Sequence, residues 1–283
     1  MTPRLRSGQA AAAFAWYRVL ALARKDAREL LRNPGAIVPP ILMVLGSLFP
    51  AFLVIVGVPM MVGETFEQSG EFADEAARAA DMIPELAGLS GNALVQTFLF
   101  HQFSLLLLLV PIVAAMALAT HAVIGEKQSK ALEPLLATPI STLELLAAKT
   151  MTPFLFALGL TWAAVTLYVL GAGMLAEPGV WRAIVGPRLF IMFGLLGPLV
   201  ALAALQVSVI VSSRANDPRS AQQLTGLLIL PITAAFIAQL MGVLIVGPAV
   251  MLAGSLGCVL FNAVLLWVGV RVFQRETILT RWT

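Results

Sequence analysis

The sequence predicts an all-α membrane protein with six transmembrane helices, cytoplasmic N- and C-termini, and an N-terminal amphipathic helix at the membrane interface. The 283 residues are 59% hydrophobic and only 12% charged, whereas soluble domains carry about 25% charged residues. Several uncharged stretches exceed the roughly 20 residues that a helix needs to cross a bilayer. The basic residues are concentrated in alternate connecting segments. These observations exclude a soluble enzyme, a disordered chain and a nucleic-acid-binding module.

Residues 1–35 form a basic segment that contains the predicted amphipathic helix. Its apolar side chains recur at helical spacing, at Trp16, Val19, Leu20, Ala23, Ala27, Leu30 and Leu31. The cationic residues away from this face include Arg24, Lys25, Arg28 and Arg32. We expect the helix to lie in the cytoplasmic interface of the membrane. It acts there either as a surface anchor or also as one wall of a docking site for a cytoplasmic partner.

The transmembrane domain covers residues 36–270. Its predicted spans are 36–63, 98–124, 151–175, 189–212, 224–246 and 249–270. As one helix, the last uncharged stretch would measure about 70 Å, more than twice the thickness of the hydrocarbon core. It must therefore fold back, and Gly247-Pro248 is the predicted break because proline cannot continue the hydrogen-bond ladder of a helix.

The distribution of charge predicts the orientation of the spans. All but three of the 18 Lys and Arg residues lie in the N-terminal segment, the loop 125–150, the fourth-to-fifth connection or the tail 271–283. The positive-inside rule places these segments in the cytoplasm. Both termini are then on one side, which requires an even number of crossings and agrees with six. The preference for arginine over lysine is typical of a GC-rich bacterial genome, so we expect a multi-pass protein of the bacterial cytoplasmic (inner) membrane.

The loop 64–97 is predicted to lie outside the cell and is acidic. It contains Glu64, Glu67, Glu71, Asp74, Glu75, Asp81 and Glu85, against Arg78 as its basic residue. The run is either a solvated face that keeps the loop outside or a vestibule that attracts cations. A short helix is predicted within residues 70–82.

The predicted spans contain no Asp, Glu, Lys or Arg, and His101 is predicted to be an interfacial residue near the external end of the second span. Gln206, Gln239 and Asn262 are costly to place in lipid, so they should face protein or a cavity. They either bond helix to helix or line a pathway. The Met, Phe and Leu content favours an apolar or amphipathic cargo. The one cysteine, Cys258, and two histidines form neither an intrachain disulfide nor a metal pattern.

The cytoplasmic loop 125–150 contains the most informative pattern. Leu132, Leu135 and Leu136 form an apolar stripe on a short helix that Thr138-Pro139 ends. Ser141 and Glu144 then form a capping box that starts a new helix at about Thr142. The segment is either an ordinary connection or, since an exposed apolar stripe usually marks a protein contact, a docking element.

This loop resembles that of the ABC-2 type transporter permease family. The matching residues are Glu126, Leu132, Glu133, Leu135, Leu136, Thr138, Pro139, Glu144, Leu145, Leu146 and Lys149. The segments before the first span and after the last span are also similar to those of the family. The chain departs from the family pattern at Gln128, at Lys130-Ala131 and at Ala147-Ala148.

The resemblance implies a permease subunit of an ATP-binding cassette exporter. Its coupling residues toward the ATPase subunit would be Glu126, Lys127, Leu132, Glu133, Leu135, Leu136, Thr138 and Pro139. Implied partners are two cytoplasmic ABC ATPase subunits, a second permease copy or a paralogue, and membrane lipid, but no nucleic acid. ATP and Mg would bind to the ATPase subunits and no cofactor to this chain. The resemblance also implies an external gate at Gly247 and Pro248.

The energy source separates this function from its alternatives. The chain lacks the Gly-x-x-x-x-Gly-Lys-Ser/Thr motif that cradles nucleotide phosphates, so we expect it not to be an enzyme. An ion-coupled carrier would place carboxylates or histidines inside the bundle, which the charge-free predicted spans disfavour. The remaining alternative is a membrane module that recruits an ATPase for maturation or signalling without moving cargo.

Overall fold

A computed structural model describes residues 16–70, 72–129, 142–215 and 217–272, with only the backbone of 69, 123, 125–129, 142–149, 214, 270 and 272. Within these ranges the chain is helical and contains no strand. Six helices are long and apolar enough to cross a membrane: Pro34–Val62, Gly91–Ala122, Thr150–Leu175, Pro187–Ser213, Pro218–Leu240 and Pro248–Gly269. The predicted all-α fold with six spans is confirmed.

The described helices are numbered here in chain order. The first five are α1 (Trp16–Leu31), α2 (Pro34–Val62), α3 (Phe66–Ser69), α4 (Ala73–Ala80) and α5 (Gly91–Leu107, continued as Leu109–Ser129). The others are α6 (Thr142–Leu175), α7 (Val180–Ile184), α8 (Pro187–Phe190, Ile191–Leu196 and Gly197–Arg214), α9 (Pro218–Thr225, Gly226–Leu228 and Ile229–Leu240) and α10 (Pro248–Val272). Two of the spans contain a π-helical turn, Leu53–Gly57 in α2 and Ile191–Leu196 in α8.

The helix α5 is the centre of the bundle. Of its most apolar 18-residue window 94% is buried, against 11% to 33% for the other five spans. The helices α2, α6 and α8 pack against it. It begins at Gly91, before the predicted start of the second span at Phe98. Its first half buries five polar residues, which are Gln96, Thr97, His101, Gln102 and Ser104.

A break at Leu108 divides α5 and is tied to α2. Pro111 has no amide hydrogen to donate to the preceding turn, so the regular bond pattern of an α-helix stops there. The Leu108 amide instead bonds to the Leu105 carbonyl at 3.1 Å. The hydroxyl of Ser47 in α2 donates to the Leu106 carbonyl at 3.1 Å. The central helix is therefore fastened to α2 at its break.

The helix α1 packs against α6, and its buried side differs from the predicted apolar face. The buried residues are Val19, Leu22, Ala23, Asp26 and Leu30. Trp16, Leu20 and Leu31, which were predicted to share that face, are exposed. The hydroxyl of Thr152 in α6 donates to the Ala23 carbonyl at 3.2 Å, so the contact with α6 selects which side of α1 is covered. Its position in a membrane interface stays a prediction.

The segment 64–90, here called the cap, covers one end of the bundle. Its helix α4 lies within the predicted range 70–82. The Phe66 amide donates to Oδ1 of Asn92 at 3.3 Å. The Glu67 carboxylate packs closely against Gly91, since a Cβ built on this glycine would stand 2.6 Å from Oε2 of Glu67. The cap is thereby attached to the start of α5. We call this end of the bundle the cap side and the opposite end, where α1 packs, the α1 side.

The last uncharged stretch folds back between α9 and α10. The helix α9 ends at Leu240 and α10 begins with Pro248. The break predicted at Gly247-Pro248 is present, but it starts earlier because the amides of Val243 and Leu244 turn back to the Ala238 carbonyl at 2.9 and 3.1 Å. Pro248 is tolerated in the first turn of α10, because the N–H groups of the first turn of a helix have no acceptor within the helix and proline therefore loses no hydrogen bond there.

Candidate functional site

The predicted coupling residues follow directly from the central helix. The helix α5 is described to Ser129 and α6 from Thr142, and the predicted capping box at Ser141 lies outside the described residues. Glu126 and Lys127 belong to the last turn of α5. The predicted coupling residues Leu132, Glu133, Leu135, Leu136, Thr138 and Pro139 lie outside the described residues. The two longest described helices, α5 and α6, thus flank the coupling segment in the chain.

The α1-side end of α5 contacts α1 and α2 together. Leu118 is buried in one cluster with Leu30 and Ala36. The His121 imidazole packs against Gly35 so closely that a Cβ on this glycine would stand 3.1 Å from Cε1 of His121. We call these five residues the α1-side joint. His121 was not among the predicted site residues. The glycine at position 35 was a signal that another side chain packs closely against the backbone there.

The helix α9 also reaches this end of α5. Nε2 of Gln222 donates to the Thr120 hydroxyl at 3.3 Å. Asp217 caps α9, and its carboxylate accepts bonds from the Ser220 amide at 2.8 Å and the Ser220 hydroxyl at 2.7 Å. These two bonds hold the pKa of Asp217 below its usual range because they favour the ionised carboxylate. Four helices, α1, α2, α5 and α9, therefore meet on the α1 side.

The cationic residues predicted for the N-terminal helix are accessible. Arg24, Lys25, Arg28 and Arg32 are all exposed. Nζ of Lys25 pairs with Oε1 of Glu29 at 3.3 Å. This pair is on the surface and contributes little to stability. Arg24, Lys25 and Arg28 are thus presented outward on the helix whose other side is held by α6, and Arg32 directly follows that helix.

The polar residues predicted for the spans make contacts between helices. Nε2 of Gln206 in α8 donates to Oδ1 of Asn262 in α10 at 2.7 Å. Nδ2 of Asn262 donates to the Leu199 carbonyl at 3.0 Å and to the Cys258 carbonyl at 2.7 Å. Nε2 of Gln102 in α5 donates to the backbone carbonyl of Gln239 at 3.4 Å, whereas Oε1 of the Gln239 side chain is buried without a partner among the described residues. Of the two expectations, these contacts favour helix–helix bonding.

The predicted gate residues lie at the break between α9 and α10. Gly247 directly precedes α10 and Pro248 starts it on the cap side, and the neighbouring Val246 is buried. The Gln102–Gln239 contact joins α5 to the last turn of α9, just before the break. The role of these two residues as a gate stays a prediction.

The structure corrects the expectation that the spans carry no charge. Arg188 belongs to the span Pro187–Ser213 and is only 2% exposed. Its Nη2 donates to the His101 carbonyl at 3.2 Å. His101 was predicted to be interfacial, but it is buried inside α5. Both predictions failed because the helices extend beyond the predicted spans: α8 begins at Pro187 and so includes Arg188, and α5 begins at Gly91 and so places His101 well inside the helix.

Glu85 of the cap completes this buried group. Its Oε1 accepts the Arg188 amide at 3.3 Å, and a Cβ on Gly186 would stand 2.6 Å from its Cγ. Glycine before Pro187 therefore leaves room for the carboxylate at the start of α8. We call Glu85, His101 and Arg188 the buried charged cluster; a sequence signal for it was the Gly-Pro-Arg run before an apolar stretch.

Comparisons with known proteins agree with the helical architecture and the loop pattern. Among the described residues no group of three or more His, Cys, Asp or Glu side chains could hold a metal ion. A search of curated proteins finds no match. The model of the ABC-2 family transporter protein family matches residues 20–254, which is well over half of the chain. The chain therefore belongs to the ABC-2 family of transporter proteins, whose domains are membrane components without nucleotide-binding sites and generally work with a cytoplasmic ABC ATPase.

Proposed function

We propose that this chain is the permease subunit of an ABC exporter in the bacterial inner membrane, with its α1 side in the cytoplasm. Two ATPase subunits bind on that side and hold ATP and Mg, while this chain binds no cofactor. A second copy of the chain, or a related permease, completes the translocation pathway. Family membership and the excess of basic residues on the α1 side support the proposal.

The course of α5 is the observation that carries the coupling proposal. The most buried helix of the bundle runs from the cap to Ser129, immediately before the proposed coupling residues. Packed interiors transmit displacement because they contain few voids. Movement of the coupling segment therefore enters the bundle at its centre. The α1-side joint passes the same movement to α1 and α2.

The composition of the spans supports an apolar or amphipathic cargo. The exposed large hydrophobic side chains are mostly Leu and Val, and the buried hydrophobic ones are mostly Ala, Leu and Val. Gln206 of α8 and Asn262 of α10 bond to each other, and the hydroxyls of Ser208 and Ser255 bond within their own helices. A strongly hydrophilic cargo would need more unpaired polar groups along its path.

Replacing Leu135 and Leu136 together with glutamate tests the coupling proposal. We expect this variant to lose co-purification of the ATPase and ATP-driven cargo movement, since two carboxylates cannot enter an apolar groove without a large desolvation cost. Pull-down of the ATPase and flux in reconstituted vesicles measure the two effects. Retention of both activities would overturn the coupling assignment.

The matched control is Met82→Glu, which places a carboxylate on an exposed apolar residue of the cap. It should leave ATPase binding unchanged. The same vesicles separate transport from recruitment alone. ATP-dependent flux supports the exporter, whereas ATPase binding without flux for any tested amphiphile supports the recruiting module.

A further inference from the structure

Arg188 is a buried cation whose charge is incompletely satisfied. Among the described residues, only Asp26 and Arg188 are charged side chains in the fully buried class. Nη2 of Arg188 bonds to the His101 carbonyl, but its Nε has no hydrogen-bond partner among the described residues. Burying a charge is costly unless other groups pair with it. Such a residue in a bundle commonly marks a functional site.

A small cavity lies beside the guanidinium. It has a volume of about 10 Å³, which is close to the space that one water needs. Polar His101, Ser104, Tyr168 and Arg188 line it together with apolar residues such as Met192 and Phe193. Nδ1 of His101 is buried without a partner among the described residues. The wall thus combines an unsatisfied cation with apolar surface, a combination suited to an amphiphile.

The opposite charge comes from the cap. The Glu85 carboxylate interacts electrostatically with Arg188, but no described carboxylate lies within 4 Å of the guanidinium. Oε1 of Glu85 bonds to the Arg188 amide, and its Oε2 is buried without a described partner. Because Glu85 belongs to a separate segment, displacement of the cap would remove the anion and leave Arg188 without a countercharge.

We propose that Arg188 binds an anionic headgroup, so that the cargo of this permease is an anionic amphiphile that takes the place of Glu85 beside the guanidinium. The cargo assignment rests on the proposed transport function, whereas the binding site does not. Entry of a headgroup requires the cap to move, since the cavity in the described arrangement holds only a water. The positive charge of Arg188 then selects the anionic headgroup, and Met192 and Phe193 contact the hydrocarbon chain of the amphiphile.

Binding by the isolated full-length permease in phosphatidylcholine nanodiscs tests the site. The probes are octyl phosphate and octyltrimethylammonium, which share a chain length and differ in headgroup charge. We expect octyl phosphate to bind more tightly, and Arg188→Gln to weaken it by about tenfold or more because a charge-assisted contact is lost. Arg188→Lys should retain most of the affinity. Glu85→Gln should raise it, since the competing carboxylate is removed.

Three results would overturn the proposal. They are equal binding of the two probes, unchanged octyl phosphate binding in Arg188→Gln, and weaker binding in Glu85→Gln. Inorganic phosphate is a further arm: if it binds as tightly as octyl phosphate, the ligand is a free anion and the amphiphile assignment fails. If Arg188→Gln does not fold, the comparison of the two probes and the Glu85→Gln variant still decide.

The outcome is independent of the ATPase. Headgroup selectivity without ATPase recruitment would contradict only the exporter proposal. ATPase-driven transport without headgroup selectivity would contradict only the role of Arg188.

Discussion

At the residue scale, Asn262 shows how a polar side chain is accommodated in an apolar helix. It accepts a bond from Gln206 and donates to the Leu199 and Cys258 carbonyls. Three bonds satisfy most of the capacity of its amide. The residue therefore joins α8 to α10, and a pathway role would require these bonds to be exchanged.

Replacing Asn262 with leucine should lower the free energy of unfolding by about 0.5–2 kcal/mol, since Nε2 of Gln206 loses its acceptor. The double variant with Gln206→Leu should recover part of the loss because both polar groups are then gone. Unfolding of the purified protein in a denaturing detergent measures both. A neutral single variant, or losses that simply add, would contradict the contact.

At the element scale, an aromatic group joins α2, α5 and α6 near the cap side. The ring of Phe52 makes edge contacts with Phe100 at 5.7 Å and Tyr168 at 5.8 Å between centroids. A Cβ on Gly171 would stand 2.5 Å from Cζ of Phe52. Gly171 therefore permits this close approach, and the rings on either side limit how far Phe52 can move.

Gly171→Ala should destabilise the protein by about 1–3 kcal/mol, the usual cost of overpacking. The matched control is Gly46→Ala in α2, where nothing lies within 4 Å of an added Cβ. That variant should be neutral or slightly stabilising, since alanine favours helix. Thermal unfolding compares the two, and equal effects would show that the ring does not restrict Gly171.

At the scale of the whole molecule, the six spans place the cap and α1 on opposite sides of the membrane. A protein with Cys258→Ser provides the background for single cysteines at Met82 in the cap and Glu29 in α1, both exposed. In intact cells a membrane-impermeant maleimide should label Met82→Cys. Glu29→Cys should react only after permeabilisation. The reverse pattern would contradict the proposed orientation and, with it, the cytoplasmic coupling segment.

Local features of this protein follow from its amino-acid sequence alone. The length of the uncharged stretches predicts six spans, and proline and glycine predict the break before α10. These properties depend on residues that are neighbours in the chain. The family resemblance rests on the same local evidence, and the match over residues 20–254 agrees with it.

The packing of the helices, in contrast, sets which helix is central, which side of α1 is covered, and that Arg188 and His101 are buried. Each depends on segments far apart in the chain: Glu85 meets the Arg188 amide across 103 positions and Gln102 meets Gln239 across 137. An apolar helix can face lipid or protein with the same composition, so its hydropathy does not reveal its neighbours. Burial follows from packing, which the order of residues along one helix does not specify.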